Sequence, residues 1–409
     1  MNTFSAKNGR SHPDPVDQSS PSKSNRATLL TGATGLLGQY LMRDLLDKGQ
    51  QVAVLVRASK KLSARERVEQ IFGRMELAEG RSIARPVVLE GDLENDSLSL
   101  SHKEIDWVQE HCDRVIHNAA VLTFTGADRS CDPWKTNVGG TGNALSFCRE
   151  QGLKHLHYVS TAYVSGKCES MFSESDLDIG QEFRNDYEES KFESEQLVRQ
   201  SDGFDSKTIF RPAVIVGDSV TGFTSTYHGL YLYLRLMATL IPMQPVDADG
   251  NRQTPISLPM TGDEPRNLVP VDWVSKVMAD IVCNPDAHDQ TYHLVPSEGL
   301  TARQLIDYCY EYFNSSGVDF CEPNTHSENE NDFAQNYLEN IQVYSAYDTS
   351  DPSFDDQNRQ IACGHLPCPV IDKEMIFRFL DFGIADRWGK RKTSNVDRKA
   401  AKLAEVPAV

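Results

Sequence analysis

From Ala27 onward, apolar runs of strand length alternate with amphipathic stretches of helix length. The apolar runs are Ala27–Thr31, Gln51–Arg57, Pro86–Leu89, Arg114–His117, His155–Ser160 and Lys207–Val216, and helical periodicity lies near 35–48, 63–77, 101–111, 134–151 and 186–200. Such alternation predicts a parallel sheet with helices on both faces. Val-Ala-Val-Leu-Val at 52–56 is apolar at every position, as a strand buried on both faces must be. After Val216 the rhythm weakens. Tyr227–Met243 reads as an apolar, aromatic helix and 244–266 as loop; Val271–Val282 reads as a helix, Thr291–Val295 as a strand, Thr301–Phe313 as a helix capped by Thr301, and Asp372–Phe382 as a last helix. Residues 315–360 are polar and acidic with aromatics at Phe333, Tyr337, Tyr344 and Tyr347, which predicts an irregular cap.

The expected fold class is therefore α/β, a doubly wound parallel sheet (Rossmann) with a smaller C-terminal substrate-binding or cap region. Residues 1–25 read as a disordered leader, 26–300 as the Rossmann domain with substrate-lobe insertions from about 218, 301–388 as the cap and 389–409 as a flexible basic tail. Composition narrows the partners. A formal net charge of −18 over 409 residues argues against nucleic acid. No apolar run is long enough to span a bilayer, and no basic segment precedes an apolar one as in a signal peptide, so a cytoplasmic protein is expected. The nine cysteines are scattered singly, and Cys363, His365 and Cys368 lack a second ligand pair, so no metal is expected.

Gly32, Gly35 and Gly38 are spaced G-x-x-G-x-x-G between the first strand and the first helix. Glycine permits a sharp turn, close approach of backbone N–H groups to a pyrophosphate, and close helix–sheet packing, with the helix N-terminus facing the anion. This is a dinucleotide site. Arg57 closes the second strand, where NAD-selective sites place a carboxylate; a guanidinium there either holds a 2′-phosphate, which favours NADPH, or snorkels over the sheet edge. Arg67 is a second candidate for that phosphate. Asp92 and Leu93, after the third strand, are placed to meet the adenine, with a solvated loop aspartate as the alternative. Asn118, Ala119 and Ala120 end the fourth strand and leave room for ribose and diphosphate. Asn137, inside a helix where asparagine is disfavoured, either binds the backbone to hold the site or faces solvent.

Tyr187 and Lys191 stand at i,i+4 on a predicted helix, which puts phenol and ammonium on one face. An ammonium beside a phenol favours the phenolate and is expected to lower its pKa. Such a pair alone usually means two solvated residues; Thr161, beyond the fifth strand where α/β folds bind ligands, strengthens it, with Ser160 as the fallback donor.

Together these residues resemble the extended short-chain dehydrogenase/reductase superfamily. The resemblance is carried by T-G-A-T-G-L-L-G (31–38), H-N-A-A (117–120), V-S-T-A (159–162), Y-E-E-S-K (187–191) and R-P-A-V-I-V-G (211–217). Within it, L-V-R-A (55–58), G-D-L (91–93), V-I-H-N-A-A-V-L-T-F (115–124), S-V-T-G (219–222) and the segment from Tyr344 to Asp372 are similar to the thioester reductase and fatty acyl-CoA reductase branch. The resemblance implies a Thr161–Tyr187–Lys191 triad, cofactor contacts from Gly32, Thr34, Gly35, Leu36, Leu37, Gly38, Arg211 and Pro212 besides the residues above, NADPH as cofactor, and reduction of an acyl thioester to an aldehyde. Adenylation and carrier domains that often flank such reductases do not fit in this chain, so the acyl group is expected on coenzyme A or on a separate acyl carrier protein. The polar 315–360 segment predicts no acyl tunnel; Tyr227–Met243 lines the acyl site or packs as a cap helix, with a membrane-surface helix as a weaker third option because the stretch has only one arginine to meet anionic lipid. A homodimer is plausible by resemblance. A nucleotide-sugar epimerase or dehydratase, a hydroxysteroid-type dehydrogenase, and a non-catalytic nucleotide sensor are the alternatives.

Overall fold

The structure is a computed structural model, described here for residues 26–258, 260–321 and 351–390. The expected leader, the aromatics Phe333, Tyr337, Tyr344 and Tyr347, and the tail beyond Lys390 lie outside the described residues. Its strands are β1 (Ala27–Thr31), β2 (Val52–Val56), β3 (Val87–Glu90), β4 (Cys112–His117), β5 (His155–Val159), β6 (Ser206–Pro212), β7 (Val214–Val216), β8 (Arg252–Leu258), β9 (Pro265–Arg266), β10 (Leu268–Pro270), β11 (Thr291–Leu294), β12 (Leu300–Thr301) and β13 (Ser315–Phe320). Its helices are α1 (Leu36–Asp47), α2 (Ala64–Glu79), α3 (His102–His111), α4 (Gly140–Glu150), α5 (Asp186–Gln200), α6 (Leu230–Leu240), α7 (Val271–Cys283), α8 (Ala302–Tyr312), α9 (Gln357–Cys363) and α10 (Lys373–Ala385).

Seven strands form one parallel sheet in the order β3-β2-β1-β4-β5-β6-β11. This is the doubly wound order, and its direction reverses between β1 and β4, where such sheets open a ligand crevice. The period-two geometry of a strand sorts the side chains of β2. Val52, Val54 and Val56 join Leu41 and Phe72 of α1 and α2 and Val274 of α7 on one face. Ala53 and Leu55 join Val108, Phe147 and Val198 of α3, α4 and α5 on the other.

The second lobe has its own core, built by Leu234 and Met237 of α6, Ile256 and Leu258 of β8, Ile306 of α8, and Phe379 of α10. Here the sequence expectation needs correction. The run Lys207–Val216 is two strands, because the chain leaves the main sheet at Pro212 and Ala213, and β7 pairs with β10 instead. Residues 252–258, expected as loop, form β8, parallel to β13. Thr254, Ile256 and Leu258 alternate inward with two-residue spacing, a signal masked by Pro255. The first residues of the expected cap are thus a strand. The late segment returns to the main body where Phe172 N–H donates to Ser353 O at 2.9 Å and Asp355 N–H donates to Phe172 O at 3.1 Å.

A buried ion pair locks α5 to the sheet beneath the crevice. Arg211 donates to Glu195 at 2.7 and 3.1 Å, with both side chains fully buried. The remaining guanidinium N–H groups reach Asp176 O at 2.6 Å and His293 Nε2 at 3.1 Å. Burial pushes the Glu195 carboxyl up, but Arg211, Arg199 and the Ser160 hydroxyl hold it below the usual carboxylate range. Removing one member of such a pair strands a charge in apolar surroundings. Glu195→Ala should therefore lower folding stability by about 3–5 kcal/mol, read as a fall in the urea unfolding midpoint; a loss within about 0.5 kcal/mol, the size of an ordinary surface substitution, would refute the locking role.

Candidate active site

The glycine-rich turn is tightly built. Gly32 has φ +68°, and a Cβ there would lie 2.7 Å from Ala119 N; a Cβ on Gly38 would lie 2.2 Å from Gly32 O. Neither position tolerates a side chain. Gly35, by contrast, has only Gly32 O near its Cβ position, at 3.4 Å. It is the N-cap of α1, and that helix start has neither a side-chain cap nor an acidic residue in its first turn. Its open N–H groups and positive dipole end suit a pyrophosphate. The residues present therefore fit a dinucleotide.

Around this turn, Thr31 Oγ1 accepts from the N–H groups of Asn118 and Ala119 at 3.2 Å each, and Asn118 Nδ2 donates to Gly32 O at 3.2 Å. These bonds join the ends of β1 and β4 across the switch point. His117 lies between Thr31 and Thr141, and burial keeps its pKa low, near 3, with the Lys191 charge adding to the effect. At the end of β2, Arg57 is exposed and pairs with Glu94 at 3.1 Å and Asp92 at 3.7 Å. Arg67 Nη1 donates to Arg57 O at 2.6 Å and Nη2 to Thr34 Oγ1 at 3.1 Å, which brings both arginines to the edge of the glycine turn. Leu93 O accepts from Asn143 at 2.8 Å, and its side chain packs toward Gly140.

Asn137 has the backbone-binding role. It sits fully buried in a π-helical turn before α4, where Oδ1 accepts from Val121 N–H at 2.9 Å and Nδ2 donates to Val121 O and Ser190 Oγ. The turn aims this side chain sideways, and it fixes the segment after Ala120 against α5. Arg211, expected near the cofactor, is a correction: it turns away from the crevice to its partner Glu195, a residue one helical turn beyond Lys191. Pro212 does line the cavity.

A cavity of about 390 Å³ begins at this switch point. Leu37, Asn118, Ala120, Thr161, Tyr187 and Lys191 line one end. The other end is walled by the second lobe through Leu230, Tyr233, Met237, Leu258, Leu268 and Ile306. A largely apolar chamber thus exists where the polar 315–360 segment predicted none: the second lobe walls it, and Asp351 of that segment lines it too. The α6 stretch both packs in the lobe core and faces the chamber.

Thr161, Tyr187 and Lys191 meet at the junction. Asn185 caps α5 by accepting from Glu188 N–H, and Tyr187 and Lys191 follow in its first two turns. Thr161 caps the short turn after β5. Thr161 Oγ1 donates to Pro212 O at 3.4 Å, and the Thr161 hydroxyl lies close enough to the Tyr187 phenol to act on its pKa. Lys191 is buried and donates instead to Tyr158 Oη at 2.7 Å and Val159 O at 2.8 Å. The expected lowering of the phenol is not what this geometry gives. Burial raises Tyr187 to about 12, with the Thr161 hydroxyl opposing and the Glu188 charge adding. Burial lowers Lys191 to about 7, with Glu195 opposing. Desolvation is the largest cause of both shifts. Ser160, the fallback donor, is committed to Glu195 at 2.6 Å. Tyr158 was not anticipated, and neither were Tyr163, Arg266 and Asp351, which form a polar corner of the chamber; only Glu195, at i+4 from Lys191, left a sequence signal.

A family described as "Male sterility protein" matches residues 30–278. The chain is 30% identical over 299 residues to the nonribosomal peptide synthetase asaC of Aspergillus flavus, covering 68% of this chain and 27% of that protein. It is similar to the terminal R domain of the myxalamid PKS-NRPS biosynthetic pathway, at 25% identity and TM-score 0.69 over 89% of this chain and 91% of that one. A thiolation-reductase di-domain from an archaeal non-ribosomal peptide synthetase shares the fold, at 20% identity and TM-score 0.70 over 90% and 76%. The chain spans about a quarter or less of the length of several of the curated relatives it matches. No helix among the described residues is long and apolar enough to cross a membrane. With its matched segment running from the glycine turn through the Tyr187–Lys191 pair to α7, the chain belongs to the male sterility protein family, in the NAD(P)-dependent thioester reductase branch of the extended short-chain dehydrogenases/reductases.

Proposed function

We propose that this protein reduces an acyl thioester to an aldehyde with NADPH. The observation that carries the reading is the two-ended cavity: Thr161, Tyr187 and Lys191 stand where the glycine-turn crevice meets an apolar chamber. A largely preformed pocket of this size, apolar with a few convergent polar groups, suits an acyl chain. It does not suit a nucleotide sugar, whose hydroxyls need many partners.

When bound, NADPH supplies the hydride; the glycine turn, the α1 N-terminus and the strand ends of β1 and β4 hold the pyrophosphate and ribose. The balance is one thioester, one NADPH and one proton giving aldehyde, thiol and NADP. Arg57 and Arg67 receive the 2′-phosphate, with Thr34 beside them. Arg57 is free to do so, because exposed ion pairs such as those with Glu94 and Asp92 contribute little and are readily exchanged. Tyr187 donates its proton to the carbonyl oxygen. A phenol at about 12 is fully protonated at neutral pH, which suits a donor, and Thr161 supplies the second hydrogen bond to the developing oxyanion. Lys191 offers positive charge from below. The thioester arrives on coenzyme A or a carrier protein; support for the carrier comes from the similarity to a terminal R domain of an assembly pathway.

Tyr187→Phe should lower kcat by about 10²–10⁴-fold and leave NADPH affinity nearly unchanged. Loss of binding together with turnover, seen by fluorescence titration, would sink the assignment. Arg57→Ala and Arg67→Ala should each weaken NADPH relative to NADH by about tenfold or more, since each removes a charge-assisted bond; an unchanged ratio of dissociation constants would place the phosphate elsewhere. As pH rises through about 7, Lys191 loses its proton. The value of kcat/KM for NADPH, which reports the free enzyme, should then fall on an alkaline limb that Lys191→Met removes. A profile flat to pH 9 would contradict this role for the ammonium.

A further inference from the structure

In a chamber wall that also carries Tyr163 and Arg266, Asp351 is the one carboxylate among the described lining residues. Its Oδ2 accepts from the Tyr163 phenol at 2.8 Å and from Asn267 N–H at 2.7 Å. Its own N–H donates to Pro265 O at 3.3 Å. Tyr163 stands two residues past Thr161, and its N–H donates to Thr161 Oγ1 at 3.3 Å, so the phenol that holds Asp351 grows from the same turn that carries the catalytic threonine. Asn267 immediately precedes Leu268, another chamber residue. Both donors fall on one oxygen. Among the described residues Oδ1 accepts no hydrogen bond, and Asp351 lines the cavity.

A partly buried carboxylate oxygen without a protein donor is costly, and a ligand that brings a donor removes that cost. The charges of Arg266 and Arg184 act on Asp351 from nearby and hold its carboxyl down, although burial raises it overall. With those cations close, the corner is not strongly anionic. It suits a neutral donor better than an ammonium.

Building on the proposed thioester reduction, we infer that Asp351 is a specificity residue that selects acyl groups bearing an N–H or O–H donor, such as N-acylaminoacyl or hydroxyacyl thioesters, over plain alkyl ones. Tyr163 and Asn267 position the carboxylate; Oδ1 takes the donor. A site built to hydrogen-bond a substrate group discriminates strongly against the analogue lacking it, because its polar atom is left unpaired.

Asp351→Asn tests this. The variant keeps an oxygen for Tyr163 and Asn267 and puts an amide NH2 where Oδ1 accepts. N-acylaminoacyl, hydroxyacyl and alkyl thioesters of equal length, all on N-acetylcysteamine, are compared with NADPH. The ratio of kcat/KM for donor-bearing over alkyl substrates should fall by about tenfold or more in the variant. The two donor arms tell which donor the corner prefers. A ratio equal to the wild-type value, whether both rates fall together or neither moves, would reduce Asp351 to an internal pin and overturn the inference. Should the wild type reduce no thioester, the reductase reading fails by itself. Calorimetry with unreactive thioether analogues of the same acyl groups then decides: a donor preference present in wild type and absent in Asp351→Asn upholds the selectivity, and equal affinities in wild type refute it.

Discussion

Lys191 is the most demanding group in the fold, because it sets an ammonium almost wholly out of water at the carboxyl edge of the sheet. Its three possible donors need partners, and two are met by Tyr158 Oη and Val159 O. Its charge is answered from one helical turn below by Glu195, which is itself held by Arg211, Arg199 and Ser160. A buried charge is tolerated only inside such a connected network. Much of the local architecture follows from satisfying this one group. The identity of residues 160 and 211, the depth at which α5 sits, and the fixed end of β5 all serve it.

The same desolvation sets the chemistry. Water around Tyr187 and Lys191 would leave both groups near their ordinary values; its exclusion drives the two pKa values apart, the phenol up to about 12 and the ammonium down to about 7. The phenol remains a proton donor and the ammonium becomes sensitive to its surroundings. The lysine bonds Tyr158 and the tyrosine lies beside Thr161, so the two are neighbours on a helix without being partners. Helical spacing puts side chains on one face, but it does not decide which acceptor each selects.

That distinction explains what was legible in the chain. The main sheet was, because β1, β2 and β4 to β6 are buried on both faces and read as apolar runs, and because Gly32 and Gly38 occupy positions where a Cβ would collide with backbone. The membership of Thr161, Tyr187, Lys191, Asn118, Ala120, Leu37 and Pro212 in one cavity wall was legible too, since they follow strand ends or begin a helix. Arg211 was misread: an arginine at a strand end looks alike whether it points to a phosphate or to Glu195, and only the partner's position tells. The strand β8 was missed because Pro255 interrupts its alternation. Asp351 was invisible because its significance comes from Tyr163 and Asn267, 188 and 84 residues away.

The cavity spans two separately packed cores, and this division has a consequence for how the protein can vary. Thr161, Tyr187 and Lys191 are fixed by the sheet, whose strands and helices interlock on both faces, so their geometry tolerates little movement. The chamber walls belong to the lobe core of α6, β8, α8 and α10 and to the segment at Asp351. Exchanging Leu230, Met237 or Ile306 for residues of other volumes reshapes the chamber at the cost of lobe packing alone, and leaves the buried network under Lys191 intact. A change at Glu195, which does not line the cavity, does the reverse and disturbs the ammonium from beneath. The fold therefore largely separates the chamber walls from the groups beside the crevice, and joins the two through the turn from Thr161 to Tyr163 and the passage from β6 to β7 at Pro212–Val214.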